Sequence, residues 1–203
     1  MVENCVIEEK TTKILDAAQK RFAHFGLEKT TMSEIAEDIG ISKAALYYYF
    51  KDKENIFKEV VLKEQFDFCS QMKALIESDK PLQAVLTNYI DKRTEYLKTL
   101  LNLGKLRYEA FKVNKPLFAE LGNIFENQEK KLIKILLCRA VEKKEITKID
   151  VDNYSGFFVN VLKAIRLYEL DKKELWKQGT IDKEIKRQHL FFTNMFLKSI
   201  ELK

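Results

Sequence analysis

The sequence predicts an all-α chain of about nine helices, with a three-helix N-terminal head and a larger helical body. Three observations carry that expectation. Apolar residues recur at helical spacing through most of the 203 residues. Six glycines and two prolines in that length argue against β-rich or low-complexity structure. The stretch TMSEIAEDIGISKAALYYYFKDK, Thr31 to Lys53, reads as two short helices around a tight turn, followed by the start of another helix.

Residues 1–10 read as a frayed tail. Thr11 or Thr12 opens the first helix, with Ile14, Leu15, Ala18, Phe22 and Phe25 at helical spacing, and Gly26 ends it. Thr31 is a good N-cap for the second helix, and Glu34 completes a capping box. Gly40 fits the C′ position, where positive φ costs glycine almost nothing. Ser42 caps the third helix, Lys43 to about Tyr49, and small Ala36 suits a close crossing of the pair. The fourth helix starts near Asp52 and runs to about Ser78. Its Ile56, Phe57, Val60 and Val61 seal the head, and Phe66, Cys69, Met72, Leu75 and Ile76 belong to the body. It is thereby a physical lever between the two parts.

Pro81 opens the fifth helix, which carries Leu82, Val85, Leu86, Tyr89, Ile90 and Tyr96. Gly104 breaks the pattern, and residues 105–113 form a short sixth helix. Pro116 opens the seventh, which runs to about Lys143 although Gly122 weakens it. Asp150 or Asp152 begins the eighth, and the ninth follows Thr180; Trp176 anchors the crossing between them.

At 100° per residue, Leu46, Tyr49 and Phe50 of the third helix point one way. Ala44, Tyr47 and Tyr48 point the other, flanked by Lys43 and Ala45. A helical face with two tyrosines makes sense as a surface that enters a DNA major groove. Lys53 is poorly placed in the first turn of a helix unless a phosphate binds there.

At these residues the chain resembles the TetR family of bacterial transcriptional regulators. ISKAALYYYFKDKENIF is similar to the family's recognition segment, with Ser42, Lys43, Leu46, Tyr47, Tyr49, Phe50 and Lys53 in its positions. The resemblance covers about the first quarter of the chain, Ile14 to Phe57. It implies a DNA-binding domain over 9–55, with the helix-turn-helix at about 32–51, and an effector-binding and dimerisation domain over 56–203. It also implies a homodimeric regulator, most often a repressor, acting on a near-palindromic stretch of double-stranded DNA. The competing reading is a helical interaction protein that kept the head and lost DNA binding.

The expected phosphate contacts are Tyr47, Lys53, and the Thr31 hydroxyl or its neighbouring N–H. Lys43 and Tyr48 are placed to read base edges, although Tyr48 also suits a phosphate. Ala44 and Ala45 can meet only thymine methyls. So few donors imply that DNA shape carries part of the specificity.

Charge alone does not point to DNA. The chain is +5 overall, yet residues 1–55 carry 8 Lys+Arg against 10 Asp+Glu. The local balance is better, since Lys43, Lys51 and Lys53 stand against Asp52 alone between Ile41 and Lys53. Three distant cysteines suit a reducing bacterial cytoplasm and neither a disulfide framework nor a metal site. No apolar run approaches a membrane span, and no leader peptide is recognised. The two histidines, His24 and His189, belong to no catalytic or metal-binding spacing, so no enzyme, cofactor or metal is expected.

Aromatics crowd the body. Phe66, Tyr89, Tyr96, Tyr108, Phe111 and Phe125 fit core packing, or the lining of a cavity for a small effector with Arg93 and Arg107 as polar anchors. The last two helices are apolar over wide arcs. They are either central core helices or a two-fold interface with a second copy through Phe157, Val161, Ile165, Phe192 and Phe196, as the resemblance implies.

Overall fold

The computed structural model describes residues 2–99, 116–171 and 181–202. Eight helices lie among them: α1 Val2–Lys29, α2 Met32–Asp38, α3 Lys43–Tyr49, α4 Lys53–Ile76, α5 Leu82–Thr99, α6 Pro116–Glu142, α7 Val151–Asp171 and α8 Ile181–Ile200. The described residues contain no strand, only the isolated bridge of Ile146 with Glu201. The all-α expectation holds. The short helix expected at 105–113, Gly104, Arg107, Tyr108, Phe111 and Trp176 lie outside the described residues.

One expectation fails at the N-terminus. Residues 2–10 are helical and continue into α1, so they are not a frayed tail. No glycine or proline interrupts this stretch before Gly26, and Glu9 and Lys13 pair across one turn at 2.8 Å. The regular helix breaks where expected, at Gly26, whose φ of 79° is open to glycine and costly for a side chain.

The chain forms two compact units. The first takes the residues up to Phe66 and those at 116–122. Its core buries Ile14, Ala18 and Phe22 of α1, Ile35 and Ala36 of α2, and Leu46 of α3. Ile56, Phe57, Val60 and Val61 of α4 complete it, as expected. Phe57 meets the rings of Phe22 and Phe118 edge-on at 5.2 and 5.8 Å. Leu121 is buried beneath a hydrogen bond from the Gln65 side chain to its carbonyl, 3.1 Å.

The second unit takes residues 67–99 and the described residues from Asn123 onward. Its core draws on α4 through Phe68, Met72 and Ile76, on α5 through Val85, Leu86 and Tyr89, and on α6 through Phe125, Ile133 and Leu137. Phe158 and Leu162 of α7 and Phe196 and Ile200 of α8 close it. Helix ends are held by distant partners. Glu145 Oε2 accepts from the Leu82 N–H at the start of α5, 2.6 Å, and Arg139 donates to the Ile76 carbonyl at the end of α4, 2.8 Å. Asp150, rather than Asp152, caps α7, accepting from the Asn153 N–H at 3.1 Å.

Candidate functional site

The candidate nucleic-acid interface is built by short-range chemistry. Thr31 Oγ1 accepts from the Glu34 N–H at 3.3 Å, and Glu34 Oε2 accepts from the Thr31 N–H at 2.8 Å, which is the expected capping box. At the other end of α2, Gly40 has φ 67°. The Gly40 and Ile41 N–H groups close back on Glu37 and Ala36 carbonyls at 3.1 and 3.0 Å, a Schellman closure. Ser42 Oγ then accepts from the Ala45 N–H at 3.1 Å and starts α3. Arg21 of α1 ties down α2 by pairing with both Asp38 and Glu34. Hydrogen bonding by Arg21 holds the Asp38 carboxyl below its usual range, and the Thr31 donors do the same for Glu34.

Leu46 is the inward anchor of α3 and is fully buried. On the opposite side Tyr47 is 47% and Tyr48 79% exposed, with Lys43 and Ala44 exposed beside them. The Lys43 ammonium lies 6.0 Å from the Tyr47 ring centroid. Tyr48 packs edge-on against the partly buried Tyr49 ring at 5.3 Å. The division of α3 into a buried and an offered face therefore follows the sequence, and Ala45 lies half-buried between them.

Two expected phosphate contacts are otherwise engaged. The Thr31 N–H and hydroxyl both donate to Glu34 Oε2, at 2.8 and 2.7 Å, so neither points to an outside anion. Lys53 Nζ donates to the carbonyls of Leu27, Glu28 and Thr30 at 2.9, 3.2 and 3.2 Å. All three ammonium donors go to carbonyls that follow the break at Gly26. The apparent misfit of a cation at the start of α4 is resolved inside the unit. Replacing Lys53 with methionine is expected to lower the stability of the first unit by roughly 1.5–3 kcal/mol, while leaving the salt dependence of DNA binding unchanged. A salt slope shallower by about 0.9 would return Lys53 to the phosphates.

In the second unit the residues expected around an effector divide. Tyr89, Arg93 and Phe125 are buried and Tyr96 half-buried, with the Phe68 ring 4.4 Å from that of Tyr96. Phe66 is 68% exposed and belongs to the first unit, so its expected place in a body cavity is withdrawn. Sequence reasoning missed Glu129, which accepts from Arg93 Nε at 2.5 Å, from Arg93 Nη2 at 3.1 Å and from the Tyr89 hydroxyl at 2.6 Å. Burial opposes the charge on Arg93, but the Glu129 carboxylate outweighs it and raises the guanidinium pKa. Burial, and then the Glu129 charge, push the Tyr89 phenol well above its usual value.

His189 is 1% exposed. Its Nε2–H donates to the Leu162 carbonyl at 2.9 Å, which leaves Nδ1 as an acceptor. Among the described residues, Arg93 Nη1 and His189 Nδ1 have no hydrogen-bond partner. A signal for Glu129 was present only in part, as a carboxylate on the apolar stripe shared by Phe125, Leu132 and Leu136.

The residues expected at a two-fold interface also divide. Phe157 is 60% exposed, and Val161, Ile165 and Phe192 are half-buried. Phe196 is buried against Phe158 with ring centroids 4.9 Å apart, so it belongs to the core of its own unit. Tyr168, Phe191 and Met195 extend the exposed apolar surface of α7 and α8. No described helix is long and apolar enough to cross a membrane, and no group of side chains suited to a metal ion occurs among the described residues.

Residues 14–60 match the family model of bacterial regulatory proteins, tetR family. A solved transcriptional regulator from Cytophaga hutchinsonii is 36% identical, superposes with a TM-score of 0.83, and is matched over 95% of this chain and 99% of that one. The regulator AcrR of Shigella flexneri is 38% identical over 53 residues, which span 26% of this chain and 25% of AcrR. The SmeT–triclosan complex, SmeT being a repressor of Stenotrophomonas maltophilia, shares the fold at a TM-score of 0.67 and 18% identity, over 95% of this chain and 92% of that one.

Proposed function

The chain belongs to the TetR family of DNA-binding transcriptional regulators, which are not enzymes, and from that premise we propose that it is a homodimeric repressor released from its operator by a small effector. The observation that carries the reading is α3: a short helix pinned by Leu46 that offers Lys43, Ala44, Tyr47 and Tyr48 outward. In this proposal Tyr47 holds phosphate and sets register, and Lys43 and Tyr48 read base edges. Thr31 and Ser42 act by capping, and Lys53 by holding α1 to α4, rather than by touching DNA. Two copies place their α3 helices about 34–36 Å apart, or a multiple of that, on a near-palindromic site.

The exposed Phe157, Tyr168, Phe191 and Met195 support dimerisation through α7 and α8, since a lone chain gains nothing by wetting four large apolar side chains. The effector reading rests on buried Tyr89, Arg93 and Phe125 with half-buried Tyr96 beside them. The unmatched Arg93 Nη1 donor is costly in a dry core unless an acceptor meets it. SmeT, of the same fold, binds triclosan. To move the operator from almost fully occupied to almost free, an effector must prefer the released state by about 5.5 kcal/mol.

Binding of the full chain to the DNA upstream of its own gene, followed by fluorescence anisotropy, tests the reading. Two chains are expected per duplex. Tyr47→Ala and Lys43→Ala are each expected to weaken binding by about tenfold or more. Undiminished affinity in both variants, or one chain per duplex, overturns it.

A further inference from the structure

The first unit contains a groove beside α3. Its volume is about 370 Å³. Ile14, Ile39 and Ile41 make it apolar; Ala45, Tyr48 and Tyr49 of α3 form one side; Lys10 and Lys13 of α1 join the lining from the other. The two lysines stand three residues apart on the same face of α1, Lys10 one turn before the buried Ile14 and Lys13 next to it. Lys10 is there because α1 continues to Val2 instead of fraying at residue 10.

We propose that this groove is a second DNA contact, in which Lys10 and Lys13 grip the sugar–phosphate strand that borders the major groove entered by α3. The inference rests on the DNA-binding reading above and adds two phosphate contacts per chain to it. When α3 lies in a major groove, a backbone strand must pass close beside it. The groove shares Tyr48, the most exposed aromatic of α3, so it lies along the path of such a strand. An apolar floor with two ammonium groups suits the carbon face of deoxyribose and its flanking phosphates. This also answers the charge puzzle: a head with a net acidic sequence places its cations where the strand runs. Lys13 is paired with Glu9, but both side chains are 66% exposed. Such a pair is worth no more than about 1 kcal/mol and yields readily to a phosphate.

Because phosphate contacts carry no sequence information, the test needs no operator. The full chain is titrated against a random-sequence duplex of about 40 base pairs over roughly 50–200 mM salt. The Lys10→Ala/Lys13→Ala double variant is compared with wild type, with Lys10→Arg/Lys13→Arg, and with Lys148→Ala, an exposed lysine of the second unit. The alanine variant is expected to lose about 0.9 of log–log salt slope for each phosphate contact, close to 1.8 for each bound chain. The arginine variant and Lys148→Ala are expected to keep the wild-type slope. A wild-type slope in the alanine variant overturns the inference, including the case of weaker binding by the same factor at every salt. So does an equal loss of slope in Lys148→Ala. If wild type itself binds without salt dependence, the DNA-binding reading fails instead. Lys10 and Lys13 are exposed, so an unchanged thermal midpoint is expected alongside the altered slope.

Discussion

Replacing Glu129 with leucine is expected to cost the second unit about 3–5 kcal/mol, and replacing Arg93 with methionine as well is expected to return much of that loss. Arg93 and Glu129 are each 1% exposed and hydrogen-bonded in two places between α5 and α6. Without the carboxylate, the buried guanidinium loses the counter-charge it pairs with, and its Nη1 already lacks a partner among the described residues. The Tyr89 hydroxyl also loses its acceptor, which explains why the double variant is not expected to recover fully. Urea unfolding of wild type, both single variants and the double variant measures the cycle. A Glu129→Leu variant within about 1 kcal/mol of wild type would show that water or relaxation reaches the site, and that the pair does not hold α5 to α6. An apolar replacement of the pair that matches wild type in stability while failing to respond to an effector would assign the pair to function, since packing does not require it.

Acid is expected to weaken the protein through His189 well before carboxylates titrate. Burial, and then the positive charge of Arg93, push this imidazole down to about 3, far below its ordinary value of about 6.5. The folded chain keeps His189 neutral, whereas the unfolded chain takes up a proton as pH falls below about 6.5. The unfolded state therefore binds more protons through this window, and stability declines as pH falls from about 6.5 towards 3. The slope is about 1.4 kcal/mol per pH unit, so roughly 2 kcal/mol is lost by pH 5. Unfolding midpoints at pH 7 and pH 5 measure it. His189→Gln, which can still donate to the Leu162 carbonyl, is expected to flatten the dependence between these pH values. An equal loss in both proteins would show that some other group governs acid sensitivity.

The parts of this molecule legible in the sequence are those whose partners lie within a helical turn. Thr31 with Glu34, Ser42 with Ala45, Asp52 with Asn55, and Gly40 with its backward closure are all separated by three to five residues. Periodicity placed the inward face of α3 as well, since Leu46 and the exposed tyrosines are set by helix geometry alone. The all-α class followed from these, whereas the family came from the resemblance of the segment ISKAALYYYFKDKENIF. Local reading also left a conflict: the capping box already used the Thr31 groups that were also assigned to phosphate.

The sequence by itself determined the helices, their caps and which face of α3 is exposed, because each of these depends on neighbours along the chain. Only the tertiary structure decided the fate of groups whose partners are far away in sequence. Lys53 finds carbonyls 23 to 26 residues back, Arg93 finds Glu129 36 residues on, and His189 finds Leu162 27 residues back. An apolar stripe states that a side is dry but not what dries it. Phe196 therefore went to its own core, while Phe66 and Phe157 stayed outside. Where a side chain has a long reach and several faces compete for it, desolvation and pairing in three dimensions make the choice, and no spacing rule contains that information.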